Sequence, residues 1–151
     1  MRVLVTGHRL FKLEQYDIEW IQFALGDVIF DLKQTGILSY GLAGMASGVD
    51  LWYCHYLYNH RIPYAAYIPF DEQADTMSAS ERLERQSLLN SAACRISAKN
   101  SLMVEHADMG IVIWDGNKGG THNVVQQLVE KKKDFVWINP VSQVVWKCFK
   151  A

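Results

Sequence analysis

Apolar positions follow two rhythms along this chain. Val3-Leu4-Val5 is a short β-branched run that stops at Thr6-Gly7, and it predicts a first strand. Over residues 16–34 the spacing changes: Ile18, Ile21, Leu25, Val28, Ile29 and Leu32 recur every three or four residues. That is one face of an amphipathic helix, with Gly36 just past its end. Residues 37–42 read as a second strand, 41–48 as a glycine-spaced loop and 49–59 as a second helix. Residues 64–70, framed by Pro63 and Pro69, are strand-like, whereas 78–90 are polar and helix-permissive. Residues 97–106 predict a further helix and 110–114 a buried strand. Gly119-Gly120-Thr121 then opens a helix carrying Val124, Val125, Leu128 and Val129 on one face. Lys131, Lys132 and Lys133 stand near its C-terminal end, where the helix dipole favours cations. Residues 135–138 are the last predicted strand.

Strands alternating with helices imply an α/β fold: a mostly parallel central sheet with helices on both faces. Ligands of such sheets sit at the carboxyl ends of the strands. Those ends are residues 6–9, 41–48, 68–71, 115–121 and 139–140, and the glycine-rich and polar clusters all fall there. One domain is expected over residues 1–140. The tail, 141–151, carries Val144, Val145, Trp146 and Phe149, so it should fold back on the core or meet a partner subunit.

Composition narrows the function classes. A chain of 151 residues, half of them hydrophobic, is one domain with an ordinary core, which excludes disorder. The formal net charge of -1 argues against a general nucleic-acid coat, but not against a local phosphate pocket. Cys54, Cys94 and Cys148 are odd in number and lack a CxxC, so neither a disulfide frame nor a zinc site is suggested. Buried free thiols in a reducing, cytoplasmic setting are the expectation. The start, MRVLVTG, has no signal-peptide pattern, and no apolar stretch is long enough for a membrane span. The histidines show no metal spacing, so no metal is expected, and no cofactor motif is recognised. His8 and His122 alone lie on the candidate edge. Trp20, Trp52, Trp114 and Trp137 fit core faces, and no hydrolase triad motif is present.

Four clusters could carry chemistry. In Thr6-Gly7-His8-Arg9, glycine lets a ligand approach, Arg9 can grip a phosphate, and Thr6 or His8 can donate to one. The run from Gly41 to Asp50 contains Gly44, Ser47 and Gly48 ahead of a helix, where free N–H groups and the dipole favour an anion. Its spacing is neither GxGxxG nor a Walker loop. Asp50 either complements that helix, binds a sugar hydroxyl or acts as a catalytic carboxylate. Asp115-Gly116-Asn117-Lys118-Gly119-Gly120-Thr121 is a second strand-to-helix loop, with Asp115 as the other candidate carboxylate. Arg95 and Lys99 are four apart and would share a helix face beside Asn100.

Taken in order, the Thr6–Arg9, Gly41–Asp50, Arg95–Asn100 with Met103, and Trp114-Asp115…Gly119-Gly120-Thr121 motifs resemble the SLOG superfamily. This is a Rossmann-like group named for the DNA-processing protein A and Lonely Guy families. The chain looks most like its small YpsA-like members, whose first strand similarly ends in Thr-Gly-His-Arg. The resemblance spans about residues 1 to 140. It implies a Rossmann-like three-layer sandwich, nucleotide-derived ligands and homo-oligomers, dimeric or higher. Lonely Guy members cleave the N-glycosidic bond of nucleoside monophosphates with a PGGxGTxxE motif, and here Val124 stands where the Glu would be.

The leading expectation is a sensor or sequestering protein for a small phosphorylated nucleoside or an ADP-ribose-like ligand. Arg9, Lys99 and Arg95 would neutralise the phosphate, and Asp50 or Asp115 would hold the ribose. The alternative is an N-glycosidic hydrolase or ribosyl transferase on a nucleoside monophosphate, with Asp50 or Asp115 as the carboxylate. A single-stranded DNA module is the third reading, set against by the missing basic surplus.

Overall fold

The computed structural model describes residues 1–148. Seven strands form one sheet: β1 (Arg2–Gly7), β2 (Tyr40–Ala43), β3 (Tyr64–Ile68), β4 (Cys94–Ser97), β5 (Met109–Ile113), β6 (Asp134–Asn139) and β7 (Val144–Cys148). The helices are α1 (Leu10–Leu13), α2 (Ile18–Gln34), α3 (Val49–Asn59), α4 (Ala79–Ser91), α5 (Asn100–His106) and α6 (Gly120–Glu130). A 3-10 turn covers Asp71–Thr76. The order across the sheet is β4-β3-β2-β1-β5-β6-β7, parallel except for the antiparallel β6–β7 pair. The α/β three-layer expectation therefore holds.

Two cores flank the sheet. Ile21, Leu25, Val28, Ile29 and Leu32 of α2 pack with Val49, Tyr53 and Leu57 of α3 on one face, against Val3, Val5 and Ile111. On the other face Met103 and Val104 of α5 pack with Val124, Val125 and Leu128 of α6 against Leu4, Leu42 and Val112. Adjacent strand residues thus feed opposite cores, as the pleat demands. Val129, expected on the apolar face of α6, is 59% exposed.

Four elements escaped the apolar pattern. β4 is a polar edge strand, Cys-Arg-Ile-Ser, inside the region that reads as running into a helix; it pairs Ala65–Ile68 with Cys94–Ser97. β7 extends the sheet where the tail was expected, pairing Val144–Cys148 with Phe135–Asn139. Phe149 of that tail lies outside the described residues. α1 and the 3-10 turn are too short for periodicity to reveal. In contrast, α4 starts at a full capping box, Ser78 with Glu81. Lys133 does not complement α6. Its ammonium donates to the carbonyls of Val104, Glu105 and Ala107 at 2.6–2.8 Å and so closes the end of α5. Among the thiols, Cys54 is buried but Cys94 is exposed, which corrects the expectation that all three are buried. Among the described residues no helix is long and apolar enough to cross a membrane.

Candidate functional site

The chain builds outward from β1 through β2 and β3 to β4, then returns to place β5 on the other side of β1. Strand order reverses between β1 and β5, and a crevice opens beyond the carboxyl ends at such a reversal. Gly7 pairs with Ile113 there, and a cavity of about 440 Å³ lies above. It takes Thr6 to Arg9 from the end of β1, Gly44 and Asp50 from the β2–α3 connection, Asn100 from α5, and Gly119 to Thr121 from the start of α6.

Asp50 forms the floor. Its residue is buried, and its carboxylate accepts the Ala46 N–H at 3.1 Å. Burial pushes its pKa up to about 7, with the Ala46 N–H and the charge of Arg9 opposing. A Cβ at Gly44 would stand 3.0 Å from Asp50 Oδ2 and 3.6 Å from Asn100 Oδ1. Glycine at 44 therefore keeps open the space between a carboxyl and a carboxamide.

The start of α6 forms one wall. Among the described residues no side chain caps that helix, so the first-turn N–H groups are available to a ligand. The Thr121 residue is buried, yet its hydroxyl has no hydrogen-bond partner among the described residues and is not sealed from the cavity. Arg9 is exposed at the rim, and its guanidinium likewise has no hydrogen-bond partner among the described residues.

Asp115 has a different place. Its side chain is only 1% exposed and does not line the cavity. Tyr16 Oη donates to it at 3.0 Å, the Asn117 N–H at 3.0 Å, and Lys12 Nζ approaches to 3.3 Å. Burial would raise its pKa, but the Asn117 N–H, the charge that His8 carries when protonated, and the hydrogen bonds from Tyr16 and Lys12 outweigh it and hold the carboxyl down at about 2. His8 Nε2 accepts the Asp115 N–H at 3.1 Å. Burial lowers the His8 pKa more than the neighbouring carboxylate raises it, so its neutral form is favoured. In that form the 3.3 Å approach of Nε2 to Asp115 Oδ1 is not an ion pair; Lys12 provides the counter-charge.

Five other expected residues stand away from the cavity. Ser47 donates to Glu81 of α4. Gly48 is packed against the His8–Leu10 backbone. Arg95 sits on β4, where it donates to Leu89 O and Asn90 Oδ1, so it shares no helix face with Lys99. Lys99 precedes α5 and lines a neighbouring cavity. His122 stacks on Trp114, with ring centroids 5.5 Å apart, and does not line the cavity.

The structure adds Lys12, Phe11, Phe70 and Gln73 to the cavity wall. Gln73 Nε2 donates to Gly44 O at 2.7 Å and its Oε1 accepts from Arg85 at 3.0 Å. Arg85 also donates to Met45 O at 3.3 Å. Two buried side chains thus tether the carbonyls of Gly44 and Met45 in the glycine loop. Phe11 and Phe70 are 75% and 47% exposed at the mouth. A phenylalanine beside turn residues gives no periodic signal, so neither was legible in sequence.

No family model matches this chain, and no curated protein matches it.

Proposed function

We propose that the protein binds a small phosphorylated nucleoside at the strand-reversal cavity, as a sensor or sequestering protein. One observation carries this reading: an unpaired guanidinium, an uncapped helix start and a buried carboxyl share a single cavity of about 440 Å³. The phosphate lies against Gly119, Gly120 and Thr121 with Arg9 as its counter-charge. The ribose hydroxyls meet Asp50, and the base rests on the exposed rings of Phe11 and Phe70.

Calorimetry with AMP, ADP-ribose and cyclic nucleotides tests the reading. Arg9→Ala should weaken binding about 10- to 100-fold, the worth of a charge-assisted contact. Asp50 is ionised above about 7, and only then does it accept two hydroxyls. Affinity should therefore rise from pH 6 to pH 8, and Asp50→Asn should flatten that rise. Folded protein that gives no heat with any of these nucleotides would sink the proposal.

A second reading is N-glycosidic cleavage or ribosyl transfer, favoured by a cavity-floor carboxyl that titrates near neutrality. Val124, at the position of the Lonely Guy glutamate, is buried in the core and brings no carboxylate. Asp50 is then the group that stabilises an oxocarbenium-like sugar. Base release from nucleoside monophosphates, lost in Asp50→Ala, separates catalysis from binding; nucleotide recovered intact after long incubation points to binding alone.

We also propose that two copies of the chain associate along the outer edge of β7, which pairs with no strand among the described residues other than β6. Val144, Val145 and Trp146 are exposed there, with Trp146 at 53%. An apolar groove of about 300 Å³ adjoins the strand, lined by Trp20, Phe23, Val28, Ile37, Val136 and Val145. An unpaired edge of this kind is a template for another strand. Antiparallel pairing about Trp146 would set Lys147 of one copy beside Val145 of the other, within the groove that Asp27 and Asp31 also line. Light scattering should report a dimer that Trp146→Lys turns into a monomer. A wild-type monomer at tens of micromolar would overturn this.

A further inference from the structure

The cavity over the strand reversal has a neighbour. A second cavity of about 320 Å³ adjoins it at Gly120, lined from α5 and α6. The two share Pro69, Asn100 and Gly120. Their common boundary is therefore the helix start assigned above to the phosphate.

The lining of the second lobe has a definite character. Asn123 and Gln127 stand four residues apart on α6, so their carboxamides share one face. Each offers a donor pair and an acceptor. Lys99 brings an ammonium and Ser101 a hydroxyl, over a floor at Val124. None of these four polar side chains has a hydrogen-bond partner among the described residues. Among the described residues no aromatic ring and no carboxylate lines this lobe, in contrast to the first, which holds Phe11, Phe70 and Asp50. The first lobe is thus equipped for a base, a sugar and a phosphate. The second is equipped for hydroxyls and further negative charge, without a surface on which to stack a base.

We propose that the ligand is a nucleoside diphosphate esterified to a second sugar, with that sugar between Asn123, Gln127 and Ser101 and Lys99 beside the distal phosphate. This rests on the nucleotide reading and narrows it to one substrate class. A phosphate held at Gly120 sits at the junction, so with the nucleoside in the first lobe a second group carried on the far side of the diphosphate reaches the second lobe. The amide pair can match vicinal hydroxyls, each of which both donates and accepts.

Paired calorimetric titrations test it, using ADP against ADP-ribose and UDP against UDP-glucose. In the pair whose nucleotide binds, the sugar-bearing member should bind at least about tenfold tighter, the sum of two or three hydrogen bonds. The double variant Asn123→Ala/Gln127→Ala should erase that advantage and leave the simple diphosphate within about twofold of wild type. Asn123 is exposed and Gln127 half-buried, and an unchanged melting temperature would verify that the variant folds. Equal affinity within each pair, or equal weakening of both members by the double variant, overturns the second lobe while the nucleotide reading stands. Failure of all four compounds to bind a wild type that still binds AMP overturns the second lobe alone; failure of these four together with AMP and the cyclic nucleotides overturns both.

Discussion

Gly48→Ala is expected to destabilise the protein by about 3–5 kcal/mol, from backbone strain and overpacking together. Residue 48 has φ +87°, a conformation that side-chain-bearing residues rarely adopt. A Cβ there would lie 2.8 Å from the Leu10 amide nitrogen, 3.1 Å from His8 O and 3.2 Å from the Arg9 carbonyl carbon. All three contacts are backbone, so no rotamer change relieves them. Either the turn after β1 or the start of α3 must move, and these carry Arg9 and Asp50 respectively. Ligand affinity should fall along with stability. Gly116→Ala is the control: its φ is +89°, but nothing lies within 4 Å of a Cβ there, so only the strain of about 1 kcal/mol is expected. Urea unfolding of both variants measures the difference. Equal costs at 48 and 116 would show that the packing of the two loops contributes nothing.

Asp115→Ala should cost about 3 kcal/mol, because it strands Lys12 Nζ and Tyr16 Oη beside a buried cavity. The carboxylate ties α1, the turn between α1 and α2, and the loop after β5 into one joint, from its contacts to Lys12, Tyr16 and Asn117. Its pH dependence has a definite sign. The folded pKa, about 2, is below the ordinary 3.8, so the stabilisation is complete above about pH 4 and is lost as pH falls through about 2. That difference corresponds to about 2 kcal/mol. Asp50 has the opposite sign. With a folded pKa of about 7, the native state holds the extra proton, so this group lowers stability as pH rises from about 4 to about 7. The stability gap between wild type and Asp115→Asn should therefore stay level from pH 5 to 8 and close toward pH 2. A gap that persists unchanged at pH 2 would contradict the assignment of charge to Asp115.

The two aspartates illustrate why residue type alone did not settle the site. Asp50 and Asp115 both follow a strand and stand near glycines, so they looked equivalent in sequence. Lys12 and Tyr16, whose contacts distinguish Asp115, are about a hundred positions away along the chain. Gln73 and Arg85 likewise act on the glycine loop from a 3-10 turn and a polar helix that carry no motif. Arg95 misled for a local reason. Four mostly polar residues at a sheet edge need only one apolar side chain, Ile96, so β4 has no period to detect.

What the chain order determined by itself was the alternation of strands and helices, and with it the edge on which the loops gather. Apolar periods of two and 3.6 are properties of neighbouring residues, and Thr6-Gly7, Gly44 and Gly119-Gly120 mark strand ends within a few positions. Tertiary structure decided the rest: that β5 returns to lie beside β1, that the cavity opens at this reversal, and that Asp50 faces it while Asp115 is enclosed. Strand order, burial and charge pairing depend on which distant segments meet. The packing of the whole sheet and its two helical layers selects those meetings, and no local pattern encodes them.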